Sequence, residues 1–262
     1  MNITVAGTGN VAQLLTRKLL AAGHRVPQVY GRNAAAAAAL AELAGSSHCS
    51  AWQDLSPETD VFLLALSDQA LTEKVFRLPS AGKLVIHTAG AVPMNVLQGS
   101  SECYGVLYPL QTITRHAPAD LPMPLLVNGN TATACTLVSQ LAGSLSPDVS
   151  FTSDADRLRY HVAAVLVNNF SNFLYVQASQ WLGENGLSFE RLLPLIDVTA
   201  SHIHDSNPLR LQTGPAKRQD AVTIDKHLEL LAGNPGLQSL YREFSRRIST
   251  YPWPEAGKAA HK

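Results

Sequence analysis

Short apolar runs alternate with longer amphipathic ones over the first half of this chain. Residues 2–6, 26–30, 61–66, 84–87, 104–108 and 124–128 are compact and apolar, with Val, Ile and Leu prominent. Between them, 10–22, 33–44, 68–77 and 131–143 repeat apolar residues at helical spacing. Short buried strands alternating with helices predict an α/β fold, a Rossmann-like parallel sheet with helices on both faces. The run Ala34 to Ala39 has the look of low complexity, but alanine is the best helix former and Leu40 and Leu43 give it an apolar edge, so it reads as an ordinary helix. Pro57, Pro79, Pro93, Pro118, Pro122 and Pro124 fall in predicted connections or strand edges.

The pattern changes near residue 150. Asp154-Ala155-Asp156 starts a helix with early negative charge, and a helical run continues over 155–183 to Gly183 and Gly186. Further helices are predicted at 188–203, 220–232 and 236–249, with no strand after about 151. The expected organisation is a Rossmann-like dinucleotide-binding domain over 1–150 and an all-α substrate and dimerisation domain over 151–262. The tail from about 250 is expected to fray.

Composition narrows the partners. Among 262 residues, Lys+Arg and Asp+Glu are each 20, so the formal net charge is zero and neither nucleic acid nor an anionic membrane is favoured. Apolar residues make up 46%, enough for a sizeable core, yet no apolar run is long enough to span a bilayer. The chain opens directly on a strand, leaving no room for a targeting peptide, and Cys49, Cys103 and Cys135 are scattered and odd in number. These features lead to the expectation of a cytoplasmic protein with reduced thiols. His202, His204 and Asp205 resemble a metal cluster in type, but their spacing fits no standard site, and no metal is expected.

The first candidate chemistry is at the start. Ile3-Thr4-Val5-Ala6 leads into Gly7-Thr8-Gly9-Asn10-Val11-Ala12. Gly7 allows a tight turn, Gly9 lets the backbone approach a pyrophosphate, and Ala12 lets the helix pack closely on the strand. The helix N-terminus at Thr8, Asn10 and Val11 offers N–H groups to phosphates. Arg32 stands where an NAD-binding protein usually places Asp or Glu, and a guanidinium suits a 2′-phosphate, so NADP(H) is the expected cofactor. The alternatives are a glycine turn that binds nothing and an arginine that is only a solvated charge.

Ligands of open α/β sheets sit beyond the carboxyl ends of the strands. Ser67 there is a candidate for the cofactor, and His87, Thr88 and Gln111 for the substrate. Against these stand helix capping for Ser67, turn chemistry for Thr88, a satisfied strand-end histidine for His87 and simple loop closure for Gln111. In the later helical run, Val162 to Val167 is apolar without a break, and Phe170, Phe173, Leu174 and Val176 follow. Such a helix is expected to be buried, in the core or at a subunit interface. His161, Asn168 and Asn172 are seven and four residues apart and share one face at about 100° per residue, with Arg157 upstream. Reduction of a C=O or C=N group needs a proton donor, and His161 suits that role with Asn168 and Asn172 to hold substrate. The rival reading is a polar network that fixes helix register, or an interface histidine. In Thr213–Asp220, Lys217 and Arg218 are candidates for a substrate carboxylate, or solvated charges on a rigid turn; Asp220 caps the helix carrying His227.

The segments Gly7–Ala12, His87–Gly90, Tyr108–Thr112, Arg159–Phe170 and Thr213–Asp220, with His227, carry a resemblance. The chain resembles the superfamily of ketopantoate reductase, pyrroline-5-carboxylate reductase and the β-hydroxyacid dehydrogenases. More closely, it resembles a bacterial family with a Rossmann-like N-terminal domain and its own helical C-terminal domain, often labelled NADP oxidoreductases that use a deazaflavin coenzyme. The resemblance implies a reductase fold, NADP(H) binding and a homodimer through the helical domains. One departure matters. The hydroxyacid dehydrogenases and ketopantoate reductase place a catalytic lysine on the long helix, and this run has none; that position falls near Ala164 against Asn168, or close to His161 in a register against Asn169. Two functions follow as expectations. One is an NADP(H)-dependent oxidoreductase reducing a small carbonyl or imine acid. The other is a non-catalytic NADP(H)-sensing protein acting through its dimer. A scaffold that binds no nucleotide is a distant third.

Overall fold

In the computed structural model, which describes residues 1–74 and 76–254, the apolar runs of the first half pair into one sheet. Its strands are β1 (Ile3–Ala6), β2 (Gln28–Tyr30), β3 (Ser47–Cys49), β4 (Val61–Leu64), β5 (Leu84–His87), β6 (Cys103–Pro109), β7 (Leu125–Gly129) and β8 (Val149–Phe151). They lie in the order β3-β2-β1-β4-β5-β6-β7-β8. All neighbours are parallel except β6 and β7. Ala6 pairs with Tyr30 and with Leu64, and Leu64 pairs with His87, so β1, β2, β4 and β5 end together at one edge. The strand order reverses between β1 and β4, which is where an open sheet parts to admit a ligand.

Side chains alternate across the sheet with the strand period of two. Ile3, Val5, Leu63 and Ile86 face one core with Leu14, Leu15 and Leu19 of α1 (Asn10–Ala21). Ala6, Phe62, Leu64 and Val85 face the other, with Leu71, Phe76 and Leu97. The helices α2 (Ala34–Ala44), α3 (Asp68–Thr72) and α4 (Ala132–Leu145) fall where the pattern put them, with one difference. α3 is a single turn, because Lys74 takes φ 49° and turns the chain out of the helix long before residue 77. The strands β3 and β8 were not expected. Each is a short edge strand with little burial and makes no apolar run.

One helix holds the long β6–β7 connection. Along α1, Asn10 Nδ2 donates to the Ile113 carbonyl at 3.0 Å, Arg17 to Ala117 at 2.8 Å and Lys18 Nζ to Leu121 at 2.9 Å. Three carbonyls of an irregular segment are satisfied by three side chains, so a loop that pairs with no strand keeps one path.

The chain divides into two compact units at Phe170/Ser171 and not near 150. The first takes in β8, then α5 (Asp154–Ala164) and a π turn at Val165–Phe170, because Arg157 of α5 is bonded to the loop that follows β5. The second is helical: α6 (Ser171–Glu184), α7 (Leu193–Asp205), α8 (Pro208–Leu211), α9 (Ala221–Leu230) and α10 (Pro235–Thr250). Of the two settings expected for the apolar helical run, burial in the core is corrected: Val162, Leu166 and Phe170 are each 55% exposed and Val167 is 75% exposed. At the start of the tail, Trp253 Nε1 donates to the Ile248 carbonyl at 2.8 Å and its ring lies under the Lys217 ammonium. Residues 255–262, where the expected fraying continues, lie outside those described. Among the described residues no helix is long and apolar enough to cross a membrane.

Candidate functional site

A cleft of about 660 Å³ opens at the β1/β4 reversal. Its floor is Gly7, Thr8 and Gly9, and its sides include Tyr30, Gly31, Arg32, Asn33, Trp52 and Ala65–Ser67, with Gln69, Ala70 and Glu73 of α3 opposite. Gly7 has φ 129°, and a Cβ there would strike the Ala65 carbonyl. At Gly9 a Cβ would meet no protein atom within 4 Å, so its bare backbone faces open cleft, as a backbone that receives a pyrophosphate must. No side chain caps α1, and its first N–H groups stay available to an anion. Tyr30 and Trp52 stack at 3.6 Å between centroids and wall one side. Arg32 is exposed at the mouth and makes no ion pair among the described residues. Glycine floor, free helix N-terminus, aromatic wall and free guanidinium together fit a dinucleotide with a 2′-phosphate.

Several cofactor candidates have local work as well. The Thr8 carbonyl accepts from Gln13 Nε2 at 3.1 Å, and the Asn10 side chain is spent on Ile113, leaving its backbone N–H for phosphate. Val11 is half-buried against the core. Ser67 caps α3 by accepting from the Ala70 N–H at 3.3 Å while still lining the cleft.

The second constellation is built on the loop after β5. Ser153 caps α5, accepting from the Asp156 N–H at 3.1 Å, which starts the helix in the right place for its first turn to reach that loop. There Arg157, 1% exposed, donates from Nε to the Gly90 carbonyl at 3.3 Å and from its terminal nitrogens to the Val92 carbonyl and to Asp154 Oδ1, the last at 2.7 Å. Asp154 Oδ2 in turn accepts the Met94 N–H at 2.9 Å. One turn further along α5, His161 Nδ1 meets the Tyr108 hydroxyl at 3.0 Å, the rings edge to face at 77°. The pair is seated on Gly90: a Cβ there would lie 2.8 Å from His161 Nδ1 and 2.9 Å from the Tyr108 ring. Burial raises the Tyr108 hydroxyl above the ordinary phenol range, against the pull of Arg157, so the phenol keeps its proton at neutral pH.

His87 lies under this rim and not on it. It is fully buried, Nδ1 accepts the Ala89 N–H at 3.2 Å, and Nε2 has no partner that meets hydrogen-bond geometry. Burial, helped by Arg157, pushes its imidazole down to about 4, with Asp154 and the Pro93 carbonyl resisting. Thr88 is buried beside it, its N–H on the Leu64 carbonyl. Gln111 closes its own loop: Nε2 donates to the Pro122 carbonyl and Oε1 accepts the Thr112 N–H, each at 2.8 Å. Gln111 thus does the loop-closing work of its structural alternative, whereas His87 is satisfied at Nδ1 alone.

Asn168 is half-buried in the π turn, donating to Asn169 Oδ1 at 3.4 Å, while Asn172 is exposed. The spacing expected to align His161, Asn168 and Asn172 does not carry across i→i+5 bonds, which wind more residues into each turn. Asn172, Lys217 and Arg218 belong to the second unit. There Lys217 Nζ donates to the Gln212 carbonyl at 2.7 Å, Arg218 is exposed, and Asp220 caps α9. His227 Nδ1 meets the Tyr241 hydroxyl at 2.7 Å. Tyr108, Trp52 and the strut made by Arg157 escaped the sequence reading. For Tyr108 the signal was present: a hydroxyl-bearing aromatic at the carboxyl end of a strand.

Residues 2–90 match the family model described as NADP oxidoreductase coenzyme F420-dependent, and residues 123–248 match a domain of unknown function, DUF2520. Among solved structures, a Bacteroides fragilis protein described as a candidate NADP oxidoreductase is 34% identical over 95% of this chain and 98% of its own, with a TM-score of 0.89. A 1-pyrroline-5-carboxylate reductase from Streptococcus pyogenes, at 17% identity, covers 96% of this chain and 99% of its own with a TM-score of 0.59. A reductive aminase from Aspergillus terreus, solved with NADPH and ethyl-5-oxohexanoate, is 18% identical over 94% of each chain with a TM-score of 0.64. The last two share the fold. No curated protein matches the sequence.

The buried neutral His87 sets a pH dependence of stability. Its folded value near 4 lies below the ordinary 6.5, so the unfolded chain binds the extra proton first as pH falls. Stability from this group is complete above about pH 6.5 and is lost towards pH 4, by about 3 kcal/mol in all. His87→Asn, which keeps an acceptor for Ala89, is expected to flatten the fall in denaturation free energy between these limits. An unchanged slope in the variant would assign the dependence to other groups.

Proposed function

This chain belongs to the NADP oxidoreductase family, whose cofactor is NADP(H), and from that premise we propose that it reduces a small carbonyl- or imine-bearing acid with NADPH. The observation that carries this reading is the His161–Tyr108 pair, seated on the loop after β5 at the same sheet edge as the glycine turn. Gly7, Thr8, Gly9 and the N–H groups of Asn10 and Val11 hold the pyrophosphate, and Arg32 takes the 2′-phosphate. When bound, NADPH supplies a hydride. His161 gives the proton that the substrate oxygen or nitrogen needs, and Asn168 hydrogen-bonds the substrate. The absence of lysine over residues 154–184 favours a second reading, a protein that senses NADP(H) without turnover.

NADPH is expected to raise the melting temperature more than NADH at equal concentration. Arg32→Ala should weaken NADPH by about 1.5–3 kcal/mol, the worth of a charge-assisted bond, and leave NADH unaffected. No stabilisation by either nucleotide would sink both readings. NADPH oxidation across 2-keto acids, cyclic imines and hydroxyacids then separates them. In the enzyme, His161→Ala is expected to cut kcat by about 10²–10⁴; binding without turnover of any member gives the sensor.

The exposed Val162, Leu166, Val167 and Phe170 fit a face covered by a second copy of the chain. Light scattering on the eluted protein should give twice 28.1 kDa, and Val167→Glu the monomer mass. A wild-type monomer at working concentration would remove the dimer.

A further inference from the structure

We propose that Tyr108 is a positioning residue that locks His161 in its Nε2–H tautomer and feeds it a proton, so that the pair works as a two-step relay to the substrate. This rests on the reading of His161 as proton donor. A phenol and a neutral imidazole at 3.0 Å can bond in two ways, O–H to Nδ1 or Nδ1–H to the phenol oxygen. Among the described residues, His161 Nδ1 is the sole partner of the Tyr108 hydroxyl. If Nδ1 carried the hydrogen, the phenol proton would be left without an acceptor at a half-buried site, at a cost. With the proton on the phenol, Nδ1 accepts and the ring hydrogen must sit on Nε2, which has no protein partner among the described residues.

Gly90 makes the assignment one-sided. A Cβ on Gly90 would lie 2.8 Å from His161 Nδ1 and 2.9 Å from the Tyr108 ring, so the bare glycine floor lets the two meet, and Nδ1 is taken up by the Tyr108 hydroxyl. Arg157 holds the Gly90 carbonyl from beneath and keeps the seat in place. Only Nε2 remains for substrate.

The relay also settles a balance that His161 alone does not. A neutral imidazole that gave up Nε2–H unaided would become an imidazolate. Instead, as the substrate carbon is reduced by the pair of electrons from NADPH, its oxygen or nitrogen takes the proton from Nε2. Nδ1 takes the phenolic proton in the same movement. His161 is left neutral with its hydrogen on Nδ1, and Tyr108 becomes a phenolate. The charge of Arg157 acts on that phenolate favourably, and water returns the proton. The alkoxide or amide avoided on the substrate is far more basic than a phenolate, so the transfer runs downhill.

The second unit contains an internal reference. His227 Nδ1 and Tyr241 meet at 2.7 Å with rings at 79°, nearly the geometry of the first pair. Ring ¹⁵N NMR of the full chain without substrate tests the lock, with His161 assigned by its loss in His161→Ala. The wild type is expected to show the Nε2–H form at His161. Tyr108→Phe should move it to a mixture of tautomers while leaving His227 unchanged, and should lower kcat by roughly 10² with KM retained. Gly90→Ala, which wedges the pair apart, is the second variant should Tyr108→Phe not fold, and the same mixing is expected. An Nδ1–H form in the wild type, or a tautomer indifferent to both substitutions, overturns the proposal. The NMR result decides the lock without any substrate in hand. Full turnover by His161→Ala would instead overturn the donor role beneath it, and with that the relay.

Discussion

A buried guanidinium ties the helical part of the first unit to the sheet. Arg157 is almost without exposure, yet its donors reach two carbonyls of the loop after β5 and one carboxylate, so its charge is not left unpaired. Asp154 completes the circuit by accepting the Met94 N–H from the same loop. The first turn of α5 and the segment from Gly90 to Met94 are therefore one body. His161 stands one turn beyond Arg157, and its position over Gly90 follows from that anchor. Without it, only the Tyr108 hydroxyl would hold a histidine from the long helical run against the end of a strand.

The sheet delivers the other half of the arrangement. Parallel pairing aligns the ends of β1, β4 and β5, so the glycine turn, Ser67 and the Gly90 loop emerge at one edge. β6 runs on to Pro109, past the residue that pairs with His87, and this carries Tyr108 beyond the rim, where it meets His161. The irregular chain that follows is kept in place by α1, through Asn10, Arg17 and Lys18. Asn10 sits at the start of the helix whose N-terminus faces the cleft, so the phosphate end of the site and the β6–β7 connection share a residue.

What could be read in the sequence was what short-range patterns encode. The glycine turn, the basic residue after β2 and the parallel strands all lie in runs of a few residues, each recognisable without long-range contacts. β3 and β8 were missed because, unlike the equally short β2, they are edge strands with little burial and make no apolar run. Ser67, Gln111 and His87 were each given two readings; the local hydrogen bonds give Gln111 and Ser67 structural work, Ser67 also lines the cleft, and His87 keeps Nε2 without a partner. The alignment of His161, Asn168 and Asn172 assumed an unbroken α-helix, and the π turn at Val165–Phe170 removed that assumption. Tyr108 and His161 are far apart in the chain, and only the packing of α5 against the sheet edge brings them together. The apolar run at 162–167 was read as buried in the core or at an interface, and composition alone could not choose between them; the packing of the chain leaves it exposed.

Gly90 has a consequence for how this protein can vary. Three positions distant in sequence, 90, 108 and 161, share one small volume. A methyl at 90 would press on both the imidazole at 161 and the ring at 108, so a change of size at one position is felt at the other two. Lineages of this fold are then expected to change these three sites together, as a set inherited or replaced whole. The glycine that looks like a mere turn residue is the floor on which two distant rings meet.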